Sequence, residues 1–312
     1  MRHIGYINVG NTCYINSIIQ CLRFTKEFTH NLIIKDSENL IIKEFFNIIN
    51  TESTLINPTK FIKLLFENKS FSKYRSFEFQ DANEFIIDLL DLFHLILSND
   101  FNKINIQTKN IKLKLSLDDL FSSIKGKYSV IYDIFLNQYH DIIECTKCNK
   151  KIYKFDPFIT LDLPIQFKKT VSQFLQTYLN NMFSITNINY KCDNCNHNMS
   201  TKSTSIWKLG KVLIITLKKY ANKIHINIPY KLNLSTYFDK DSPYTKFTYS
   251  IYSLVYHTGN HYYTTIYYKG KWYLYNDNKY NEISIDEINN KDIYLIFYTG
   301  DTGGTCSSNH HA

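Results

Sequence analysis

The sequence predicts an α+β fold, and three observations carry the prediction. In the first hundred residues apolar side chains recur at helical spacing. From about Leu113 they fall instead into shorter, β-rich runs, and within that part lie two Cys-x-x-Cys pairs, Cys145 with Cys148 and Cys192 with Cys195. A chain of 312 residues can bury one large core or two ordinary ones. Its 44% hydrophobic and 21% charged residues suit a globular protein, and no run of about 18 apolar residues offers a membrane span. Polar Asn8, Asn11 and Thr12 interrupt the N-terminal stretch, so no secretory leader is expected. Seven cysteines, an odd number holding both pairs, fit the reducing cytoplasm or nucleus better than a disulfide framework. The formal charge of +8 comes from dispersed lysines, which reads as a solvated surface and not as a nucleic-acid footprint.

The stretch from Gly5 to Leu22, GYINVGNTCYINSIIQCL, organises the chain. Ile15, Ile18, Ile19 and Leu22 mark a helix burying one face, which puts Cys13 at or near its N-terminus. Unpaired backbone N–H groups and the helix dipole there favour a thiolate, the nucleophilic form. Gly5 and Gly10 permit a sharp approach, and Asn8 and Asn11 bring amide donors near the sulfur, able to hold the oxyanion formed when a thiolate attacks a carbonyl. The plainer alternative is a buried helix cysteine behind an Asn/Thr cap, and Cys21 is read that way.

Ile41, Phe45, Ile48 and Ile49 keep helical spacing between Asn39 and Asn50. Asn57-Pro58 reads as an N-cap followed by proline at the first helical position, opening a helix with Phe61, Leu64 and Leu65 on one face. The longest helix carries Ile86, Leu89, Leu90, Phe93 and Leu97. It is led by FEFQDANEF, Phe77 to Phe85, whose acidic residues suit a helix start. The two cysteine pairs are separated by 43 residues; four thiolates from two tight turns can close a tetrahedral zinc site, with Lys147, Lys150, Lys151 and Lys191 offsetting its charge. A redox dithiol or two unrelated pairs are the alternatives. Val212 to Tyr220, VLIITLKKY, reads as a buried strand.

A thiolate needs a base, and the base a third group to fix its tautomer. Tyr249–Tyr256, Tyr262–Tyr268 and Lys271–Tyr275 read as strands, with Gly270 as a turn residue, an antiparallel arrangement that brings His261 beside Asn276. Ile293–Tyr298 reads as the last buried strand. The small, polar tail over 300–312, Cys306 included, is expected to be disordered.

Taken together, these segments resemble the ubiquitin-specific proteases, the papain-like cysteine deubiquitinases. GYINVGNTCYINSIIQCL is similar to that family's cysteine box, and FEFQDANEF resembles its Gln-Gln-Asp-Ala-His-Glu-Phe motif with Asn83 in place of the histidine. FDPFITLDLPI, Phe155 to Ile165, resembles its strand leading into a helix, here Val171 to Leu179. VLIITLKKY is similar to its Leu-x-x-x-Leu-Lys-Arg-Phe strand, with Lys219-Tyr220 for Arg-Phe. YSLVYHTGNHYYTTIYYKGKWYLYNDNKY resembles the histidine box, His261 matching the histidine of Gly-His-Tyr. Asn260 replaces the glycine, and the loop from His257 to His261 is shorter than the family's.

The resemblance implies a papain-like catalytic domain over residues 1–299, with a helical thumb over about 1–112 and a β-rich palm and zinc-ribbon fingers over about 113–299. It implies Cys13 as nucleophile, His261 as base, Asn276 as the third triad member, Asp277 as its support and Asn8 as oxyanion donor. Asp81 and Glu84 become contacts for the arginines of a ubiquitin tail, and Tyr262 the cover of the channel for its terminal glycines. One structural Zn2+ on Cys145, Cys148, Cys192 and Cys195 is implied, with no catalytic cofactor. The implied reaction is hydrolysis of the isopeptide or peptide bond after ubiquitin's last glycine, through a thioester. Ubiquitin and ubiquitinated proteins are the expected partners of a monomer that takes neither nucleic acid nor membrane. Two other readings stay open: an idle ubiquitin-binding scaffold, and a protease for another ubiquitin-like modifier.

Overall fold

Capping side chains and apolar periodicity shape the first half of the chain. The computed structural model describes residues 2–34, 38–75, 78–100, 108–165, 174–219, 224–244 and 247–300. A short parallel pair, β1 (Gly5–Tyr6) with β2 (Leu55–Ile56), holds the N-terminal segment against helices α1 (Cys13–Phe24), α2 (Lys26–Ile34), α3 (Leu40–Ile49), α4 (Thr59–Glu67) and α5 (Ala82–Leu97). Asn39 caps α3 by accepting from the N–H groups of Ile41 and Ile42, and Asp81 caps α5 by accepting from those of Asn83 and Glu84. Every residue of α1 is buried, so this helix is a wedge between the other helices and the sheet. Its Ile15, Ile18, Ile19 and Leu22 share one core with Phe45, Phe61, Phe85, Ile86 and Phe93, and with Tyr262, Ile266 and Tyr275 of the sheet.

The chain continues through β3 (Asn99–Asp100), α6 (Ile111–Ser123), β4 (Lys127–Tyr128) and α7 (Val130–Phe135) before the long strands begin. This corrects the expectation of strand character from Leu113, and the boundary drawn at 112/113 falls inside a helix. Leu113, Leu115 and Leu117 alternate as a strand would, but Asn110 accepts from the Leu113 N–H at 3.0 Å and starts a helix. Only Ser116 of that helix is buried, so the alternation marks no buried sheet face. Pro58 sits at the N-cap of α4, one place earlier than expected, with Asn57 Oδ1 accepting from the Thr59 N–H at 3.0 Å.

Beyond α7 come β5 (Asn137–Cys145), β6 (Lys151–Lys154), β7 (Pro157–Phe158), β8 (Thr160–Pro164), α8 (Leu175–Met182), β9 (Thr186–Asn189), β10 (Met199–Lys208), β11 (Val212–Lys218) and β12 (Lys231–Asn233). The last are β13 (Thr248–His257), β14 (Tyr262–Tyr268), β15 (Lys271–Asn276), β16 (Lys279–Ile283) and β17 (Ile293–Gly300). The helix expected over 171–179 therefore starts at Leu175. Val171 itself, Phe77, Tyr220 and the tail 301–312 with Cys306 lie outside the described residues.

Two sheets form. In the eight-stranded one the order is β16-β15-β14-β13-β17-β11-β8, with β12 against β13; only β11 and β8 run parallel. Alternation along β11 sends Val212 and Ile214 to the helical core, and Leu213, Ile215 and Leu217 to a second core with Leu161, Leu175 and Leu179. The five-stranded sheet, β6-β5-β10-β9 with β7 on β5, projects the cysteine pairs. Asn83, buried in the first turn of α5, joins helices to sheet: its Oδ1 accepts from the Thr216 hydroxyl at 2.8 Å and its Nδ2 donates to Asp162 at 3.4 Å. Replacing Asn83 with Ala leaves Thr216 unpaired, and we expect a loss of about 1–3 kcal/mol in denaturant unfolding. An unchanged midpoint would contradict that linkage.

Candidate active site

Cys13 is the first residue of α1, and its Sγ accepts from the Tyr262 N–H at 3.4 Å. The loop before it is tied to itself by Asn8, whose Oδ1 accepts from the N–H groups of Gly10 and Thr12, both at 3.1 Å. Gly10 and Asn11 take positive φ angles of 108° and 48°, which turns the chain sharply into the helix. Burial is the largest influence on the thiol and pushes its pKa up; the Asp277 carboxylate adds to this. N–H groups of Tyr262 and Tyr14 oppose it and do not win. The helix terminus was expected to favour the thiolate, and in the buried site desolvation outweighs it.

The β13–β14 hairpin closes through the Thr258 N–H, donated to the His261 carbonyl at 3.0 Å. His261 Nε2 lies 2.7 Å from Asn276 Oδ1. An amide oxygen only accepts, so the imidazole proton sits on Nε2 and Nδ1 is the basic nitrogen. The antiparallel register, with Thr264 opposite Tyr275, is what brings the end of β15 level with His261. Among the described residues no hydrogen bond joins Cys13 to His261.

Asp277 follows in a left-handed conformation, φ 50°. Its carbonyl accepts from the Tyr6 N–H at 2.9 Å, its Oδ2 from Asn8 Nδ2 at 3.0 Å, and its Oδ1 from Asn16 Nδ2 at 2.8 Å. The turn comes so close to β1 that a Cβ on Gly5 would meet the Asn278 carbonyl oxygen at 2.3 Å, so only glycine fits. The sequence pointed to Asn8 and Asp277 but missed Asn16. Its signal was a polar stripe, Asn16, Gln20 and Arg23 at helical spacing, on a helix buried along its whole length.

Tyr262 is buried and stacks on His257 with ring centroids 4.2 Å apart. Asp81 keeps an exposed position beside it; besides capping α5 it accepts from the Tyr294 hydroxyl at 2.6 Å, a partner not foreseen. Glu84 is exposed and paired with Lys73, which also holds Asp88 at 2.7 Å.

At the far end of the five-stranded sheet the ligand atoms of Cys145, Cys148, Cys192 and Cys195 all lie within 4.8 Å of one another. The two turns are built alike. Asn149 N–H donates to the Cys145 carbonyl at 3.0 Å and Asn196 N–H to that of Cys192 at 2.8 Å, with φ near 55° at both asparagines. Four thiols on two matching turns can hold a tetrahedral metal ion. Cys21 is buried against Ser253 and Thr264, away from both centres.

A family model described as ubiquitin carboxyl-terminal hydrolase matches residues 4–298. Human ubiquitin carboxyl-terminal hydrolase 2 is 26% identical over 341 residues, spanning 94% of this chain and 54% of that protein. Ubiquitin carboxyl-terminal hydrolase 25 of Arabidopsis thaliana is 25% identical over 327 residues, spanning 95% and 47%. The chain thus spans about half the length of these relatives. A solved structure of the SAGA Ubp8/Sgf11/Sus1/Sgf73 DUB module bound to ubiquitin aldehyde matches with a TM-score of 0.70 at 23% identity, over 96% of this chain and 70% of that one, a likeness of fold.

The raised pKa of Cys13 has a direct readout. Alkylation of this thiol by a small neutral electrophile should keep accelerating as pH rises through 9.0, the ordinary thiol value, because the neutral form persists there. A rate that levels off below pH 8 would mean a preformed thiolate.

Proposed function

The chain belongs to the ubiquitin carboxyl-terminal hydrolase family, and from that membership we propose that it is a deubiquitinating cysteine protease working through Cys13, His261 and Asn276. The observation that carries the reading is a cysteine at a helix N-terminus whose sulfur accepts the N–H of Tyr262, the residue next to a histidine with Nε2 2.7 Å from an asparagine oxygen. A thiol whose pKa burial raises needs a base at the moment of attack, and His261 is the base we assign to it, with Nε2 turned to Asn276 and Nδ1 left for the proton.

In the proposed sequence His261 takes the Cys13 proton as the sulfur attacks the carbonyl carbon of ubiquitin's last glycine. The backbone N–H of Cys13 and the Asn8 amide proton not given to Asp277 stabilise the oxyanion. The imidazolium then protonates the leaving lysine amine, and a thioester forms. Water, deprotonated by His261, attacks that thioester and releases the ubiquitin carboxylate and the Cys13 thiol. Asp81 and Glu84 would receive the arginines of the tail, with Glu84 exchanging Lys73 for the substrate. Tyr262 would cover the terminal glycines.

The helices around α1 would form the thumb, the eight-stranded sheet the palm, and the five-stranded sheet the fingers of a monomeric domain of the cytoplasm or nucleus. We propose one structural Zn2+ on Cys145, Cys148, Cys192 and Cys195. When bound it would cross-link the two turns, with no open position left for chemistry.

Hydrolysis of a fluorogenic amide of ubiquitin's C-terminus tests the reaction. Cys13→Ala should abolish turnover while ubiquitin still binds, and Asn8→Ala should slow it by about a hundredfold; turnover retained by Cys13→Ala would refute the assignment. For the metal, elemental analysis should find one zinc per chain, and Cys148→Ser should lose it and melt at lower temperature. A zinc-free, equally stable purified chain would contradict the metal.

A further inference from the structure

We infer that Asn16 is a positioning residue for the proposed reaction: with Asn8 it grips the Asp277 carboxylate across the cleft, and so aims the neighbouring Asn276 at His261. The inference rests on the reading of Cys13, His261 and Asn276 as the reacting set.

Asn16 stands three residues after Cys13 on α1 and is 2% exposed. Its Nδ2 lies 2.8 Å from Asp277 Oδ1, 3.3 Å from the Tyr6 carbonyl and 3.5 Å from that of Ile7. Three acceptors around one amino group fix the orientation of the amide, because the reverse setting would press its oxygen against a carboxylate and two carbonyls. The Asn16 Oδ1, buried on the other side, has no hydrogen-bond partner among the described residues. A polar group left unsatisfied in the core is unfavourable, so the useful half of this side chain is the half that faces the loop and Asp277.

Seen from the hairpin, the dependence runs the same way. Asp277 is a non-glycine residue at φ 50°, a conformation it does not favour on its own. The contacts that hold it come from the cysteine side of the cleft: Asn8 takes one carboxylate oxygen, Asn16 the other, and the Tyr6 N–H takes its carbonyl. Asn276, one residue earlier, is an exposed side chain at a strand end, and packing does not set its direction. What sets it is the turn, and the turn is set by Asn8, Asn16 and Tyr6. The nucleophile and the group orienting the base are thus referred to the same helix.

The test combines kinetics on the ubiquitin amide with an NMR signal that folding alone would not move. Asn16→Ala should lower kcat about tenfold or more with KM nearly unchanged, and Asp277→Ala should do the same. The double variant should be no slower than Asp277→Ala, within about twofold, because Asn16 acts through the carboxylate that Asp277→Ala already removes. In chain labelled at histidine, the His261 Nε2–H signal of the wild type should be lost in Asn16→Ala while the remaining histidine signals persist. Should Asn16→Ala fold poorly, Asp277→Asn, which sets an amino group against that of Asn16 or of Asn8 and so breaks the paired grip, should show the same kinetic and NMR losses. Multiplying losses in the double variant, or a His261 signal that survives in Asn16→Ala or in Asp277→Asn, would overturn the inference. A wild-type chain that leaves the ubiquitin amide intact would refute the functional reading instead, and the NMR comparison would still decide the role of Asn16.

Discussion

A single carboxylate, that of Asp277, ties the cysteine loop to the histidine hairpin. Its two oxygens and its carbonyl accept from Asn8, Asn16 and Tyr6, all on the N-terminal side of the cleft. Such a contact is worth having only if both sides are rigid. On one side rigidity comes from α1, buried along its whole length, and on the other from a hairpin continuous with an eight-stranded sheet. Gly5 permits the close approach and the left-handed Asp277 completes it. The charge near the sulfur has a second effect, since with burial it favours the neutral thiol.

Asp81 likewise serves two elements: it caps α5 and accepts from the Tyr294 hydroxyl of β17 while remaining exposed. Tyr262 connects these regions: its N–H reaches Cys13, and its ring lies on His257 and near Tyr294, the partner of Asp81. A displacement at one end of this chain of contacts is therefore felt at the thiol.

Much of this was legible in the sequence because it rests on local rules. Period and capping place α1, α3 and α5, alternation places the hairpin strands, and cysteine spacing anticipates the paired turns. What the sequence hid depends on contacts distant along the chain. The alternating leucines of α6 imitate a strand, and only the structure shows that no sheet face lies beneath them. The burial around Cys13, which pushes its pKa up against the helix terminus, is a property of the folded cleft and not of the local sequence. Asn16 was passed over as one more helix residue, since its partner lies 261 positions away.

The central claim is that Cys13 is a nucleophile directed at ubiquitin's C-terminus. Incubation with ubiquitin carrying a thiol-reactive group at that terminus, followed by intact mass and peptide mapping, tests it most directly. The account predicts one adduct, on Cys13. No adduct, or an adduct spread over Cys21 and the four paired cysteines with Cys13 untouched, would contradict it.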